Sequence, residues 1–337
     1  MEMKTTKIVF CIITVFFSFS VNAAVKTFVV TTSSNHLFTE KGYEKIKGSF
    51  AAAIDSVNAY PEDSCKIVFS IPKTESDTVT LKNYVKNLTI KNHTSVEIDG
   101  DGIKAFNNAT GDYFSFNGAK GIILRNLNFI KSTSQIIAIS TQIELISNCT
   151  FTGSSNPDGG LSLRDNSKVN LIEKCLFTDN TNAIKNSSGS SFSEIKHCIF
   201  KDNGIGISAN NTKGRVTNCK FYNHSQYSIS SLNGTIENSL FDNSVIQNAG
   251  SLCAEAVIKN DTFCNCSNAF MGYANNVTNC YFRNNTNCIG YSTNIKTLES
   301  CTFEENAYGN TEVDNFVAPK TATVPHPYPV ALLPLNC

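Results

Sequence analysis

Two short stretches, Asn148-Cys149-Thr150-Phe151 and Asn218-Cys219-Lys220-Phe221, are copies of one motif that recurs along the chain. A cysteine stands two residues before six of the nine motif phenylalanines, and an asparagine stands three residues before six of them. A repeat of this length is typical of solenoids, in which each repeat forms one coil stacked on the next. Neighbouring motif phenylalanines are 19 to 26 residues apart, and they are Phe129, Phe151, Phe177, Phe200, Phe221, Phe241, Phe263, Phe282 and Phe303.

The Cys-x-Phe pair predicts a β-strand. Residues two apart in a strand point to the same face, so Cys and Phe point inward together and the residue between them points outward. A period near 22 residues accommodates three short strands and their turns, and coils stacked about 4.8 Å apart bury a continuous core. Asparagine suits the turns because it tolerates left-handed backbone. The frame of a leucine-rich repeat is absent and a propeller blade is about twice as long. The sequence therefore predicts an all-β right-handed parallel β-helix.

The 13 cysteines of the chain receive a structural interpretation from this repeat. An inward cysteine is a small apolar side chain that fills space beside phenylalanine. Stacked thiols on parallel strands point the same way, which is poor geometry for a disulfide. We therefore expect buried thiols in the motif column. A disulfide remains open as an alternative for four cysteines outside the column, Cys253, Cys264, Cys266 and Cys288.

The N-terminus has the features of an export signal. Lys4 and Lys7 provide positive charge, residues 8–21 form an apolar run, and Ala23 is a small residue at a suitable cleavage position. The run is too short to span a bilayer, which takes about 20 residues. We expect a signal peptide at residues 1–23 and a mature protein that is secreted or held at the cell surface.

The remaining boundaries follow from where the repeat starts and stops. Residues 24–94 predict an N-terminal cap with the first irregular coils, including a short helix that begins after Ser49 and buries Phe50, Ala53, Ile54 and Val57. Residues 95–306 predict the regular β-helix. Residues 307–337 drop the repeat and are rich in proline, so we expect an extended tail packed on the helix.

Charge and hydropathy exclude two kinds of partner. Lys plus Arg equals Asp plus Glu, at 28 each, and no basic stripe is present, so a nucleic-acid partner is not expected. No later segment is long and apolar enough for a membrane span. We expect a monomer.

Several stretches resemble the pectate-lyase-like superfamily of right-handed parallel β-helix proteins. Residues Val96-Glu97-Ile98-Asp99-Gly100-Asp101-Gly102 are similar to an early turn of that superfamily, and Gly121-Ile122-Ile123-Leu124-Arg125-Asn126-Leu127 is similar to one of its strands. The proline-containing, apolar tail around residues 325–333 is similar to the extended tail of pectate lyases. This resemblance covers about residues 90–337, and it implies binding or cleavage of an extracellular polysaccharide.

A second resemblance implies an alternative. The stretch Gly48-Ser49-Phe50 and the Phe-x-x-Asn element, as in Phe200 to Asn203, resemble bacterial surface β-helix adhesins. The alternative function is therefore a non-enzymatic surface adhesin or a structural β-helix protein.

The superfamily resemblance also implies which chemistry an enzyme of this kind would use. Pectate lyases bind Ca²⁺ through carboxylates and use Arg or Lys as the base, although their Arg-x-Pro-Arg-x-Arg segment is missing here. A polysaccharide lyase is thus the first enzyme class. A glycoside hydrolase is less favoured, because Asp179-Asn180 stands where polygalacturonases have two aspartates.

One cluster of ionisable residues stands out on the predicted groove. Asp179 and Asp202 each follow a motif phenylalanine by two residues, so we expect them to stack on adjacent coils. Arg164 and Lys185 are predicted at corresponding positions of the following strand. Asp158 lies in the longest coil, of 26 residues, whose extra residues predict a loop beside the groove.

These residues suggest a calcium-dependent site. Asp179 and Asp202 are the candidate metal ligands for Ca²⁺. Lys185 and Arg164 are the candidate catalytic residues, and Asp158 and Arg164 are the candidate substrate-binding residues. The other interpretation is a solvated column of turns, in which each aspartate pairs with a nearby lysine at about 0–1 kcal/mol per pair.

Overall fold

The computed structural model describes residues 25–32, 36–39, 42–71, 78–80, 88–100, 105–107, 114–130, 135–187, 189–248, 255–289 and 294–307. The predicted signal peptide, and the predicted tail after Ala307, lie outside these ranges. Within them, no helix is long and apolar enough to cross a bilayer.

The chain coils through three ladders of parallel strands, which we number in the order in which a coil visits them. Each strand pairs with its equivalents in the preceding and following coils, as Ile136–Ile139 does with Phe114–Asn117 and Leu161–Arg164. Ladder 1 carries the phenylalanine motif, and its strands are Thr78–Thr80, Ala105–Asn107, Asn128–Ile130, Thr150–Thr152, Leu176–Thr178, Ile199–Lys201, Lys220–Tyr222, Leu240–Asp242, Thr262–Cys264, Tyr281–Arg283 and Thr302–Glu304.

Ladders 2 and 3 complete each coil and share one long strand, Asn268–Thr278. The other strands of ladder 2 are Leu88–Lys91, Phe114–Asn117, Ile136–Ile139, Leu161–Arg164, Asn182–Asn186, Ile205–Ser208, Tyr227–Ser230, Ile246–Asn248 and Asn287–Ile289. The other strands of ladder 3 are Lys26–Val30, Ser64–Phe69, Ser95–Asp99, Ile122–Arg125, Gln142–Ser147, Lys168–Glu173, Ser191–Lys196, Arg215–Thr217, Thr235–Glu237, Val257–Lys259 and Asn294–Glu299.

A short helix, Phe50–Asn58, covers the start of the solenoid as predicted. It begins after Ser49, whose hydroxyl oxygen accepts a hydrogen bond from the backbone N–H of Ala52 at 3.1 Å. The helix buries Phe50, which packs against the rings of Phe69 and Phe114. An antiparallel hairpin, His36–Thr39 with Gly42–Lys45, precedes the helix and was not expected from the sequence pattern.

The motif phenylalanines form one continuous stack inside the solenoid. From Phe129 to Phe303, neighbouring ring centroids are 4.7 to 5.1 Å apart and nearly parallel. The register pairs each phenylalanine directly with the next, as Phe177 pairs with Phe200. Because the spacing of the rings equals the spacing of strands in a sheet, every coil adds one ring to the same apolar column.

Left-handed turns flank ladder 1 on both sides and explain the recurring asparagines. The residue three positions before each motif phenylalanine has positive φ, as Asn148 and Asn218 do. From Phe151 onward, the residue two positions after the phenylalanine has positive φ as well, as in Asn223 and Asn284. Asparagine and aspartate adopt this backbone more readily than most side chains, so the predicted role of asparagine in the turns is confirmed.

The cysteines of the motif column are buried thiols, as predicted. Cys149, Cys175, Cys198, Cys219 and Cys280 are almost inaccessible to solvent, whereas Cys301 in the last described coil is half-buried. Each donates its S–H to the backbone carbonyl two residues earlier, as Cys175 does to Glu173. Burial raises the pKa of Cys175, Cys219 and Cys280. The proposed disulfide among the other cysteines includes Cys253, which lies outside the described residues, so that expectation stays a prediction.

Burial makes a direct prediction for thiol reactivity. In the native protein, N-ethylmaleimide should label Cys301 first and leave the five deeper motif cysteines unmodified, because the reagent cannot reach a buried thiol. Peptide mapping after labelling, with a denatured sample as the control, measures this. Rapid native labelling of most of the five would mean that the column does not face the core.

Candidate functional site

The extra residues of the longest coil form a loop over ladder 2. The backbone N–H of Asp158 donates to the side-chain oxygen of Asn156 at 2.9 Å, and Asn182 donates to the carbonyl of Pro157 at 2.7 Å. Gly159 has φ +79°, and a Cβ there would lie 2.1 Å from the carbonyl oxygen of Asn182. Only glycine fits this position, so loop and strand are held together and the place of Asp158 is defined.

Asp158 is the centre of an ion-paired cluster. Its carboxylate contacts the guanidinium of Arg164 and lies 3.6 Å from the Nζ of Lys185. Arg164 also donates from Nε to the hydroxyl of Ser162 at 3.4 Å. The three charged side chains keep about a quarter to a third of their surface exposed. The structure thus brings together three of the five predicted site residues.

Arg164 and Lys185 do not occupy corresponding positions, and that prediction was wrong. The register of ladder 2 pairs Lys185 with Ser162, two residues before Arg164. Side chains two apart share a face of a strand, so both cations still point outward. They meet because Asp158 reaches over the sheet and accepts from both.

Asp179 and Asp202 stack on adjacent coils as expected, in the left-handed turns that follow ladder 1. Their φ angles are 56° and 52°, and the preceding residues, Thr178 and Lys201, pair directly. Both carboxylates already have partners within the turns. Asp179 accepts from the hydroxyl of Thr178 at 3.1 Å, while Asp202 accepts from Asn223 at 3.2 Å and lies 3.5 Å from the Nζ of Lys201.

Asp179 and Asp202, which we call the turn pair, form their printed hydrogen bonds and ion pairs with neighbours in the turns and not with the Asp158 cluster. The loop that carries Asp158 bonds Thr181 and Asn182, which follow Asp179 by two and three residues. The convergence of these acids and bases on a single groove stays a prediction.

Two stacked carboxylates do not complete a calcium site by themselves. Ca²⁺ takes about six to eight oxygen ligands, and no group of three or more His, Cys, Asp or Glu side chains in the described ranges is arranged to hold a metal ion. Calcium binding at Asp179 and Asp202 stays a prediction that depends on further ligands.

A lane of mostly hydroxyl and amide side chains runs along the outer face of ladder 2, across the strands. We call it the ladder 2 lane, and it consists of Ser115, Ile137, Ser162, Lys185, Ser208, Ser230 and Gln247, aligned by register. The Asp158 cluster lies in the middle of it. Ser115, Ile137 and Ser162 are buried, so the accessible part of the lane consists of Lys185, Ser208, Ser230 and Gln247, which are about 4.8 Å apart from coil to coil.

The outer face of ladder 3 is different, because its charges neutralise one another across coils. Lys196 pairs with Glu173 at 3.4 Å, and Arg215 pairs with Glu237 at 3.4 Å. Lys259 lies 3.0 Å from the same Glu237. This face therefore has opposite charges in near balance.

A comparison with protein families agrees with this architecture. The family model described as the right handed beta helix region matches residues 78–246, half of the 337-residue chain. The chain belongs to the right-handed β-helix family. The matched part of this right-handed β-helix contains the Asp158 cluster and the turn pair. No curated protein matches the chain, so the family establishes the architecture and leaves the substrate open.

Sequence reasoning missed three polar residues of this right-handed β-helix at the loop. Ser162 is buried and accepts from Arg164, and Asn182 donates to the loop carbonyl of Pro157. Gln135 is buried, and its Nε2 donates to the carbonyl of Thr152 at 2.7 Å. None of them stands in a repeated motif. The excess length of the 26-residue coil was the available signal, because inserted residues must lie over a neighbouring strand.

Proposed function

We propose that the protein binds an acidic polysaccharide outside the cell, along the ladder 2 lane, and does not cleave it. The observation that carries the proposal is the Asp158 cluster, in which Arg164 and Lys185 share one carboxylate at the partly exposed foot of a loop. A sugar carboxylate is the same chemical group as the side chain of Asp158. It can replace Asp158 on the two cations, and guanidinium binds carboxylates in a bidentate manner.

The surroundings of the cluster support an extended ligand. Ser208, Ser230 and Gln247 of the lane offer donors and acceptors on successive coils, which suits the hydroxyl groups of a sugar chain. Residues 153–160 form a wall on one side. The outer face of ladder 3 has more charge, and its cations Lys196, Arg215 and Lys259 are paired with glutamate.

Binding without cleavage is favoured by the pairing of the ionic groups. A lyase needs a base and a cation that act on the same sugar, since the developing charge must be stabilised where the proton leaves. Arg164 and Lys185 are both paired with Asp158, whereas Asp179 and Asp202 have their own partners in the turns. The geometry thus favours a binding surface, in line with a non-enzymatic β-helix.

Affinity electrophoresis tests the proposal. In gels containing polygalacturonate, the wild type should be retarded, and the double variant Arg164→Ala/Lys185→Ala should bind at least tenfold more weakly. This is the magnitude expected for losing charge-assisted hydrogen bonds of about 1.5–3 kcal/mol. A neutral glucan should retard neither protein.

The matched control removes the same charge from the other face. The double variant Lys196→Ala/Arg215→Ala, on the outer face of ladder 3, should bind polygalacturonate like the wild type. Equal weakening in both double variants would reveal non-specific attraction by net charge. If neither polymer retards the wild type, the proposed function is wrong.

A lyase is the second candidate, favoured by the stacking of Asp179 and Asp202 in adjacent turns. If it is correct, the protein releases unsaturated sugar ends from polygalacturonate in the presence of Ca²⁺. The double variant Asp179→Asn/Asp202→Asn should then lose this activity, which ultraviolet absorbance follows directly. Absence of product with the wild type, together with retardation in the gel, separates binding from cleavage.

A further inference from the structure

A column of polar side chains runs inside the solenoid beside the phenylalanine stack. It is formed by the residues three positions after each motif phenylalanine, and we call it the inner polar column. Its amides satisfy the backbone of adjacent coils. Its members from the fourth coil of the ladder onward are Ser154, Asn180, Asn203, His224, Ser244, Cys266, Asn285 and Asn306.

The bonding rule of the column is clearest at Asn203. Its Nδ2 donates to the carbonyl of Phe177 at 3.0 Å, and its Oδ1 accepts from the backbone N–H of Asn180 at 3.0 Å. Asn285 repeats the pattern with Phe263 and Cys266. Each asparagine therefore closes two backbone hydrogen bonds that the tight turn leaves open.

Asparagine is absent from three consecutive coils, where His224, Ser244 and Cys266 take its place. In the first two of these coils a buried polar atom lacks a partner. His224 replaces asparagine, and its Nδ1 lies 3.2 Å from the carbonyl oxygen of Asn203, whereas its Nε2 is buried without a hydrogen-bond partner. In the next coil Ser244 takes the place of asparagine, and its hydroxyl is also buried without a partner. Both side chains are more than nine-tenths buried.

A third buried polar group without a partner, the hydroxyl of Ser228, lies nearby. A Cβ on Gly206 would lie 3.3 Å from Nε2 of His224 and 2.5 Å from the carbonyl oxygen of Ser228. The backbone N–H of Ser228 donates to the carbonyl of Val245 at 2.7 Å, and Val245 directly follows Ser244. His224, Ser228 and Ser244 are therefore neighbours on two successive coils, and the glycine leaves room for the imidazole.

We propose that Nε2 of His224 and the hydroxyls of Ser228 and Ser244 form a buried hydration site that holds a water molecule. An unpaired polar group in a protein interior costs about 1–3 kcal/mol, and three such groups at one place are the setting in which proteins retain internal water. Water accepts and donates, so it can bond the imidazole nitrogen and both hydroxyls at once. It completes the hydrogen bonding that asparagine provides elsewhere in the column.

The site has a consequence for the ionisation of His224. Burial lowers the pKa of His224 to about 4, against which the backbone carbonyl of Asn203 and the charge of Asp202 act to raise it. Asp202, in the turn of the preceding coil, is the charged group that acts on the ring among the described residues, and from the following coil Ser244 contributes only a neutral hydroxyl. The native protein therefore keeps a neutral imidazole where the unfolded chain is protonated, at an ordinary pKa near 6.5.

A crystal structure at a resolution that orders water tests the site directly. In the wild type at neutral pH, we expect one density peak within hydrogen-bond distance of Nε2 and both hydroxyls. In His224→Asn, the asparagine should bond the backbone of Phe200 and Asn203 as the other column members do, and the peak should be lost. Direct bonding of Nε2 to one of the serines, with no density between them, would overturn the proposal.

The second measurement is the unfolding equilibrium constant as a function of pH. Because the folded-state pKa of His224 is lowered, its contribution to stability is present above about pH 6.5 and is lost as pH falls toward 4. The unfolding equilibrium constant of the wild type should rise about a hundredfold relative to His224→Asn over that range. The matched control His197→Asn, at an exposed turn, should follow the wild type. A parallel pH dependence of the wild type and His224→Asn would show that His224 is not held neutral, contrary to the proposed site.

Discussion

Replacing Phe200 with alanine is expected to lower the free energy of unfolding by about 3–5 kcal/mol. Phe200 is fully buried near the middle of the stack, and its ring lies 4.9 Å from that of Phe177 and 4.8 Å from that of Phe221. Truncation removes the transfer energy of the ring and leaves a cavity, because rigid coils above and below cannot collapse into it. Equilibrium denaturation with urea, followed by circular dichroism, measures the difference.

The matched control is the next residue toward the N-terminus. Ile199 lies on the same strand but points outward, with 40% of its surface exposed. Ile199→Ala should change the free energy of unfolding by no more than about 0.5 kcal/mol. Similar losses in both variants, or a larger loss for Ile199→Ala, would mean that the strand has the opposite face inward.

The second large effect concerns Asp261, which occupies a position where most coils have a buried cysteine. Its side chain is fully buried, and its Oδ1 accepts from the backbone N–H of Ser239 at 2.6 Å. Burial raises the pKa of Asp261 well above its ordinary value, and the charge of Glu237 acts in the same direction. A neutral carboxylic acid also carries a hydrogen that it can donate. Each cysteine of the column donates its S–H to the backbone carbonyl two residues earlier. At the position of Asp261 the corresponding carbonyl is that of Lys259.

We therefore expect stability to fall as pH rises. The native state keeps the proton of Asp261, whereas the unfolded chain releases it near pH 4, so the contribution of the neutral acid is fully present below that pH and is lost above it. The loss amounts to at most about 1.4 kcal/mol per pH unit. Asp261→Ser should remove this dependence, because Ser239 already occupies the equivalent position in the preceding coil.

The measurement is the difference in free energy of unfolding between Asp261→Ser and the wild type, taken from pH 5 to pH 8. The difference should grow steadily in favour of the variant, and the titration of His224 cancels because both proteins contain it. A difference that is independent of pH would show that Asp261 ionises in the folded protein as it does in the unfolded chain.

The repeat alone was sufficient to predict the architecture. Cys-x-Phe at a period near 22 residues implies strands, an inward face and stacking, and all three are present. The amphipathic helix after Ser49 was equally predictable from the sequence, because its cap and its apolar face are local features. The hairpin at 36–45 was missed because it belongs to no repeat and follows no apolar periodicity.

The candidate site was predicted only in part. The position of Asp179 above Asp202 follows from counting residues after the phenylalanine, because the turns there have constant length. Counting failed for Arg164 and Lys185, since the inserted loop in the coil before them changes the length of the connection and shifts the register by two residues. Their shared contact with Asp158 was not foreseeable from spacing.

Periodicity in the chain determines which residues face inward, because a strand alternates its side chains and stacked coils repeat that choice. It does not determine which side chains meet across coils where the repeat is irregular. That was decided by the tertiary structure, in which the loop ending at Gly159 places Asp158 over two cations from different strands. The same holds for His224, Ser228 and Ser244, which are ordinary residues in the sequence and become neighbours only because two successive coils stack.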